Sequence, residues 1–242
     1  MTTLLKIQNL KKQFGGLTAV NDVSFSVAEG ETVALLGPNG SGKTTVINMI
    51  SGAFAPTSGR IVLAGENIAG LAPNRIAHKG IARTFQLVRI LPSLSVAENV
   101  MAALAFRPNH LWGTEARDRA EHLLLEVGLG GRGHEHANDL TYIDQKRMEL
   151  ARALAAEPRL LLLDEWLSGL NPTELGVGID LITSLGQRGM TILLVEHIME
   201  AVRALCSRAV VMNVGTKIAD GPTADVLADP AVIVAYLGDG HA

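Results

Sequence analysis

Between the apolar run Thr32-Val33-Ala34-Leu35-Leu36 and the stretch Val46-Ile47-Asn48-Met49-Ile50 lies Gly37-Pro38-Asn39-Gly40-Ser41-Gly42-Lys43-Thr44-Thr45. This reads as a strand, a glycine-rich turn and a helix, the setting in which G-x-x-x-x-G-K-[ST] becomes a phosphate site. Glycines let backbone N–H groups turn inward on a phosphate chain with no side chain in the way. The helix after Lys43 aims the positive end of its dipole at the same anion. Lys43 can reach the terminal phosphates as a point charge, and the Thr44 hydroxyl can ligate Mg²⁺. A bare glycine-rich turn would explain the glycines but not Lys43, Thr44 and both flanking elements. The expectation is a nucleoside triphosphate bound on an α/β sheet.

The rest of the 242-residue chain narrows the class. Its length suits one large α/β domain or a core with a smaller lobe, and with 48% apolar residues it can bury a sizeable core. A formal charge of −3 argues against an extensive nucleic-acid footprint, which needs a basic face. Cys206 is the single cysteine, so no intrachain disulfide can form and a reducing compartment fits. Its apolar neighbours, Ala201-Val202-Arg203-Ala204-Leu205, point to a packed thiol. The opening Met1-Thr2-Thr3-Leu4-Leu5-Lys6 carries no export signal, and no apolar run nears the ~20 residues needed to span a bilayer. Membrane contact is therefore expected through a partner.

Along the chain, the first third reads as strands and turns. Leu5–Leu10 and Val23–Val27 alternate in polarity, Ala28-Glu29-Gly30-Glu31 is a tight turn, and Pro56-Thr57-Ser58-Gly59 leads into a strand over Arg60–Leu63. From about Leu87 to Glu157 the pattern is mostly helical. Ser95-Val96-Ala97-Glu98 has the form of a capping box opening a helix through Ala105. Further helices are expected over Glu115–Val127, ended by Gly128, and over Leu140–Ala156, closed by Pro158. Strand and helix then alternate: Arg159–Asp164, Pro172–Gly186, Thr191–Glu196, Ile198–Leu205, Ala209–Asn213. Such alternation after a phosphate loop predicts a mostly parallel sheet with helices on its faces, and a helical lobe inserted in it.

Two strand ends deliver chemistry. Leu160-Leu161-Leu162-Leu163 reads as a strand buried on both faces, and it ends in Asp164-Glu165, where α/β sheets place their ligands. Beside a phosphate loop, Asp164 is expected to hold Mg²⁺ and Glu165 to polarise the attacking water. Thr191-Ile192-Leu193-Leu194-Val195-Glu196 is a second such strand, which presents His197 as a hydrogen-bond donor to the γ-phosphate. His78, His110, His122 and His241 are expected to be packed or solvated. His134 and His136 lack a third ligand at a recognised metal spacing, so a solvated loop is the better reading.

Taken together, Gln86, the Leu140–Arg147 segment, Asp164-Glu165 and His197 following the phosphate loop in this order make the chain resemble an ABC-transporter ATP-binding subunit over nearly its whole length. Within that superfamily it is most similar to the branched-chain amino acid importer ATPases. The cues are Phe14-Gly15-Gly16-Leu17-Thr18-Ala19-Val20, Gly80-Ile81-Ala82-Arg83-Thr84-Phe85-Gln86 and Ala235-Tyr236-Leu237-Gly238. The resemblance implies an α/β P-loop NTPase core with a mostly parallel sheet, an N-terminal antiparallel β subdomain and an inserted helical subdomain, all in one domain. It implies ATP and Mg²⁺ as ligands, with Phe14 stacked on adenine and Gln86 on the metal and the water. Ser168-Gly169-Leu170-Asn171 matches the loop that crosses between two ATPase subunits. Leu140-Thr141-Tyr142-Ile143-Asp144-Gln145 stands in the place of the signature segment, which caps ATP on the opposite subunit. The implied partners are a second ATP-binding subunit, two membrane permeases at the cytoplasmic face of the inner membrane and, indirectly, a periplasmic solute-binding protein, with no nucleic acid.

Two positions depart from the pattern. Ile143 replaces a signature glycine, and a β-branched residue there is expected to crowd the partner's γ-phosphate and to resist a positive φ. Trp166 follows Glu165 in place of proline and is expected to pack locally. Everything the chain gives to its own nucleotide is intact, whereas the segment lent to its partner is altered. That asymmetry favours a heterodimer over a homodimer and predicts that glycine at position 143 raises the partner site's rate. Among other readings, a soluble ABC ATPase acting on nucleic acid or ribosomes would usually carry two cassettes or a basic extension. A P-loop kinase lacks the signature segment, and a GTPase needs an Asn-Lys-x-Asp motif that is missing. A subunit that only regulates is disfavoured by the presence of both Glu165 and His197.

Overall fold

The computed structural model describes residues 2–237, so Gly238 and His241 lie outside the described residues. Two long strands, β1 (Thr3–Phe14) and β2 (Leu17–Ala28), form a hairpin, and β3 (Thr32–Leu36) runs into the phosphate loop and helix α1 (Lys43–Ile50). Next come β4 (Ser58–Leu63), the two-residue β5 (Glu66–Asn67), the short helix α2 (Pro73–His78) and β6 (Ile81–Arg83). Three helices make the lobe: α3 (Val96–Phe106), α4 (Gly113–Glu126) and α5 (Tyr142–Ala155). The chain then alternates through β7 (Leu160–Asp164), α6 (Pro172–Gln187), β8 (Thr191–Val195), α7 (Met199–Leu205) and β9 (Arg208–Asn213). It finishes with β10 (Thr216–Pro222), α8 (Thr223–Ala228) and α9 (Pro230–Leu237).

The strands divide into an antiparallel sheet, β2-β1-β4-β5, and a six-stranded sheet, β10-β9-β3-β8-β7-β6, parallel except for its β10 edge. The parallel strands are apolar throughout because both faces are covered. Leu161, Leu163, Ala34, Leu36, Ile192 and Leu194 point into a core shared with α6, α7 and the helical lobe. Their alternates Leu160, Leu162, Val33, Leu35, Leu193 and Val195 point into a second core, shared with α1 and the antiparallel sheet. The lobe core, including Val100, Leu104, Ala120, Leu124 and Leu154, is continuous with the first of these.

The expected capping box is present: the Ser95 side chain accepts from Glu98 N and Glu98 accepts from Ser95 N. Three features correct the sequence reading. The first third contains the helix α2 and the strand β6, both too short for a periodicity to register. Leu87 to Leu94 precedes the lobe without regular structure. The last lobe helix starts at Tyr142 rather than Leu140, with Thr141 as its N-cap after a 3₁₀ turn over Ala137–Asp139. Cys206 is buried as expected, and desolvation pushes its thiol up to about 12, so the thiol stays unreactive.

Candidate active site

Strand β3 lies at the middle of the parallel sheet between β8 and β9, so the phosphate loop leaves the sheet flanked by both neighbours' carboxyl ends. Gly42 is the N-cap of α1 with φ +103°, and a Cβ there would lie 2.7 Å from the Ala19 carbonyl oxygen. Only glycine fits that close approach. The Lys43 ammonium, largely buried, donates to the carbonyls of Gly37 at 2.7 Å and Pro38 at 2.9 Å. Burial pushes it below its ordinary range, and the carboxylates of Glu165 and Asp164 pull it part of the way back. Asn39, Gly40 and Thr44 are exposed and Thr45 is half-buried, while the buried Ser41 hydroxyl has no hydrogen-bond partner.

Strand β7 delivers Asp164 and Glu165 beside this loop. Asp164 accepts from the Arg83 guanidinium at 2.7 Å through Oδ2. Glu165 has the left-handed φ of +49°, a backbone state that costs a non-glycine residue about 1–2 kcal/mol. Its N–H is held by the Val195 carbonyl at 2.8 Å, and its own carbonyl accepts from Ser168 N at 3.1 Å. The Gln86 amide donates to Glu165 Oε2 at 2.7 Å, and His197 Nδ1 stands 4.0 Å from the same oxygen. Thus Gln86, Glu165 and His197, drawn from three sequence-distant segments, meet at one carboxylate. Thr44, Gln86 and Asp164 line one cleft and each carries a side-chain oxygen, the donor type that Mg²⁺ selects.

Phe14 closes the end of β1 and is 42% exposed, with its ring edge-on to Phe54 at 5.4 Å between centroids. A buried core aromatic is thereby excluded, and the Lys12 ammonium lies over the ring at 4.9 Å from its centroid. Replacing it, as Phe14→Ala, is expected to weaken ATP binding by about 1–3 kcal/mol while kcat changes little, measured by titration with a fluorescent ATP analogue. His134 and His136 are exposed on their loop, and His78, His110 and His122 are exposed as well.

Ile143 does not behave as its sequence position suggests. It sits in the first turn of α5 with no positive φ, and its side chain is only 8% exposed, turned into its own subunit. The chain itself thus covers most of this side chain. Its neighbours Thr141 and Tyr142 are exposed. The Thr141 hydroxyl donates to Asp144 Oδ2 at 2.9 Å, and Asp144 also binds Arg132 at 2.7 Å and Arg147 at 3.0 Å. Burial would raise the Asp144 carboxyl, but these hydrogen bonds and charges outweigh it and hold the group below the usual range. Leu140 is buried ahead of the helix, and Gln145 donates to its carbonyl at 3.2 Å. Trp166 packs locally as expected: it is fully buried and its indole N–H donates to the Lys146 carbonyl at 3.2 Å.

A family model described as ABC transporter matches residues 20–168, and one described as branched-chain amino acid ATP-binding cassette transporter matches residues 216–242. The chain belongs to the ABC-transporter ATP-binding family. It is 40% identical over 250 residues to the high-affinity branched-chain amino acid transport ATP-binding protein BraF of Pseudomonas aeruginosa, covering 98% of each chain. Its fold matches the ADP conformation of MJ1267, an ATP-binding cassette of an ABC transporter, with a TM-score of 0.90 at 30% identity, over 99% of this chain and 100% of that one. It also matches the dimeric post-hydrolysis state of the cassette MJ0796 bound to ADP and Pi, with a TM-score of 0.81 at 26% identity, over 91% and 99%.

This ABC cassette is an ATPase domain, and it supports its site with side chains that the sequence reading passed over. Arg83 ties Asp164 to Asn48 at 2.6 Å and to Ser51 at 3.1 Å; a charge inside the strand Ile81-Ala82-Arg83 was the available signal. Glu149 is buried on α5 and accepts from the backbone N–H groups of Phe85 at 3.4 Å and Arg89 at 3.2 Å, which bracket Gln86. Burial raises its carboxyl and those two N–H groups oppose the rise. Glu196, also buried and raised by desolvation, accepts from Leu167 N at 2.8 Å and so ties the turn after Glu165 to the strand end bearing His197. The fully buried Lys146 donates to the Trp166 carbonyl at 2.8 Å, answering the indole bond in the other direction.

Proposed function

We propose that this cassette is the ATP-hydrolysing subunit of an importer for branched-chain amino acids or a similar small solute, acting as one domain with a helical lobe over about residues 87–157. The convergence of Gln86, Glu165 and His197 beside the phosphate loop carries the hydrolytic reading. The loop N–H groups and Lys43 take the phosphates, and Phe14 takes the adenine. Mg²⁺, held by Thr44, Gln86 and Asp164, would neutralise charge on the phosphate oxygens. Glu165 orients the attacking water and draws its proton, the Gln86 amide fixes that carboxylate, and His197 donates a hydrogen bond to the γ-phosphate.

Residues Leu140 to Gln145 cap the nucleotide of a second ATP-binding subunit, which is either a related chain or another copy of this one. No helix among the described residues is long and apolar enough to cross a membrane. Permease subunits therefore supply the membrane path, and a periplasmic binding protein delivers the solute to them. A cleft of about 960 Å³ between the core and the lobe, lined by Phe54, Ile76, Phe85, Leu87 and Arg152, suits a segment of the permease. It lies against the Gln86 loop, so occupancy of the cleft can reach the catalytic carboxylate.

The test is ATPase activity of the purified chain, alone and reconstituted with its candidate partner ATPase and permeases, alongside ATP-dependent uptake of leucine, isoleucine and valine into vesicles. Stimulated hydrolysis accompanied by uptake is expected. ATPase activity that ignores the permeases, with no uptake, would overturn the importer reading while leaving the ATPase reading in place.

A further inference from the structure

Gly37, the first residue of the phosphate loop, is held from two sides. Its carbonyl accepts from Lys43 at 2.7 Å, and its N–H donates to the Tyr236 hydroxyl at 2.7 Å, across 199 residues of sequence. The residue has φ +142°, and a Cβ would lie 2.1 Å from the Met212 carbonyl oxygen, so the peptide is confined by backbone as well.

Tyr236 is delivered by a short, well-anchored helix. Asp229 opens α9 by accepting Ala231 N through its side chain at 2.8 Å and Val232 N and Ile233 N through its carbonyl at 3.0 Å. Val232 is buried in the core shared with the parallel sheet, and Tyr236 follows one helical turn later on the same side. Upstream, the Thr223 hydroxyl donates to the Cys206 carbonyl at 2.6 Å and fixes α8 to the sheet. The Tyr236 side chain is 37% exposed; burial of the rest raises its phenol above the ordinary range, and the neutral hydroxyl accepts from Gly37 N.

We propose that Tyr236 is a positioning residue for nucleotide binding, its hydroxyl holding the Leu36–Gly37 peptide in the orientation from which the loop receives phosphate. To reach a phosphate, Lys43 leaves the carbonyls of Gly37 and Pro38. The Tyr236 bond, on the peptide at the other side of the Gly37 Cα, is then the remaining side-chain tie on this residue. Without it the peptide gains freedom in the loaded state, and binding must supply the lost order. The free state loses less, because Lys43 still holds the carbonyl. The effect therefore falls on affinity. The inference rests on the nucleotide reading of the loop.

The experiment titrates a fluorescent ADP and a fluorescent ATP analogue into the full chain, the Tyr236→Phe variant and an Ile233→Ala control on the exposed side of the same helix. For Tyr236→Phe, Kd and KM are expected to rise about three- to tenfold, the size of one neutral hydrogen bond. Alongside, kcat should stay within about twofold and the melting temperature of the nucleotide-free chain within about 2 °C. Ile233→Ala is expected to match the wild type. An unchanged Kd in Tyr236→Phe would overturn the proposal. So would equal weakening in the control, or a loss of affinity that tracks a lower melting temperature, since either makes the role structural. Failure of the unaltered chain to bind either probe would remove the nucleotide reading, and this inference with it.

Discussion

The Glu165→Gln variant is expected to bind ATP with near-normal affinity and to hydrolyse it about 10²–10⁴-fold more slowly, the range lost with a positioned general base. The amide keeps the size of the carboxylate and can still meet Gln86, which donates to Glu165 Oε2 at 2.7 Å. It cannot take a proton from water. The backbone at this residue is strained, with φ +49° held by Val195 and Ser168, and the variant leaves those bonds alone. Loss of rate therefore reports the carboxylate rather than the turn. Single-turnover hydrolysis and equilibrium ATP binding on the same preparation separate the two. A residual rate above about a tenth of wild type would move the base elsewhere, with His197 the next residue to test.

Ile143→Gly is expected to lower stability by about 2–4 kcal/mol and not to raise ATPase activity at either site of a dimer. The side chain is 8% exposed in the first turn of α5, so its removal opens a void and weakens the helix start together. For a chain of this size the melting temperature should fall by roughly 5–15 °C. Ile143→Val, which keeps most of the volume, should cost about 1 kcal/mol and leave turnover intact. Thermal melting of both variants, with ATPase rates at a temperature where both are folded, decides the matter. Faster hydrolysis in Ile143→Gly without a melting shift would restore the view that this side chain obstructs the partner's nucleotide.

The burial of Ile143 was not legible in the sequence. The expected crowding came from matching residue types to a signature segment, and such a match does not say that residue 143, in the first turn after the Thr141 N-cap, is covered by its own chain. What was legible was local chemistry: the glycine loop, the Ser95–Glu98 capping box, and the leucines of β7 that need two covered faces. The strand ends bearing Glu165 and His197 were readable because a parallel sheet gathers its carboxyl ends on one edge. Arg83 and Glu149 were not, since a charge inside a strand or helix has meaning only once its partner is known, and Asp164 and the Phe85 and Arg89 amides are remote in sequence. Tyr236 lies farther still from Gly37, and no period or spacing links them.

The position of β3 has a consequence for how the protein is made. The strand that carries the phosphate loop pairs with β8 and β9 and with no strand nearer in sequence, so its hydrogen-bonding partners are synthesised about 160–180 residues after it. During translation Thr32–Leu36 emerges as an apolar segment with both edges unpaired, a target for chaperones and for aggregation. A ribosome stalled before Thr191 would hold a chain that contains Lys43 and Glu165 yet has no fixed loop to present to ATP.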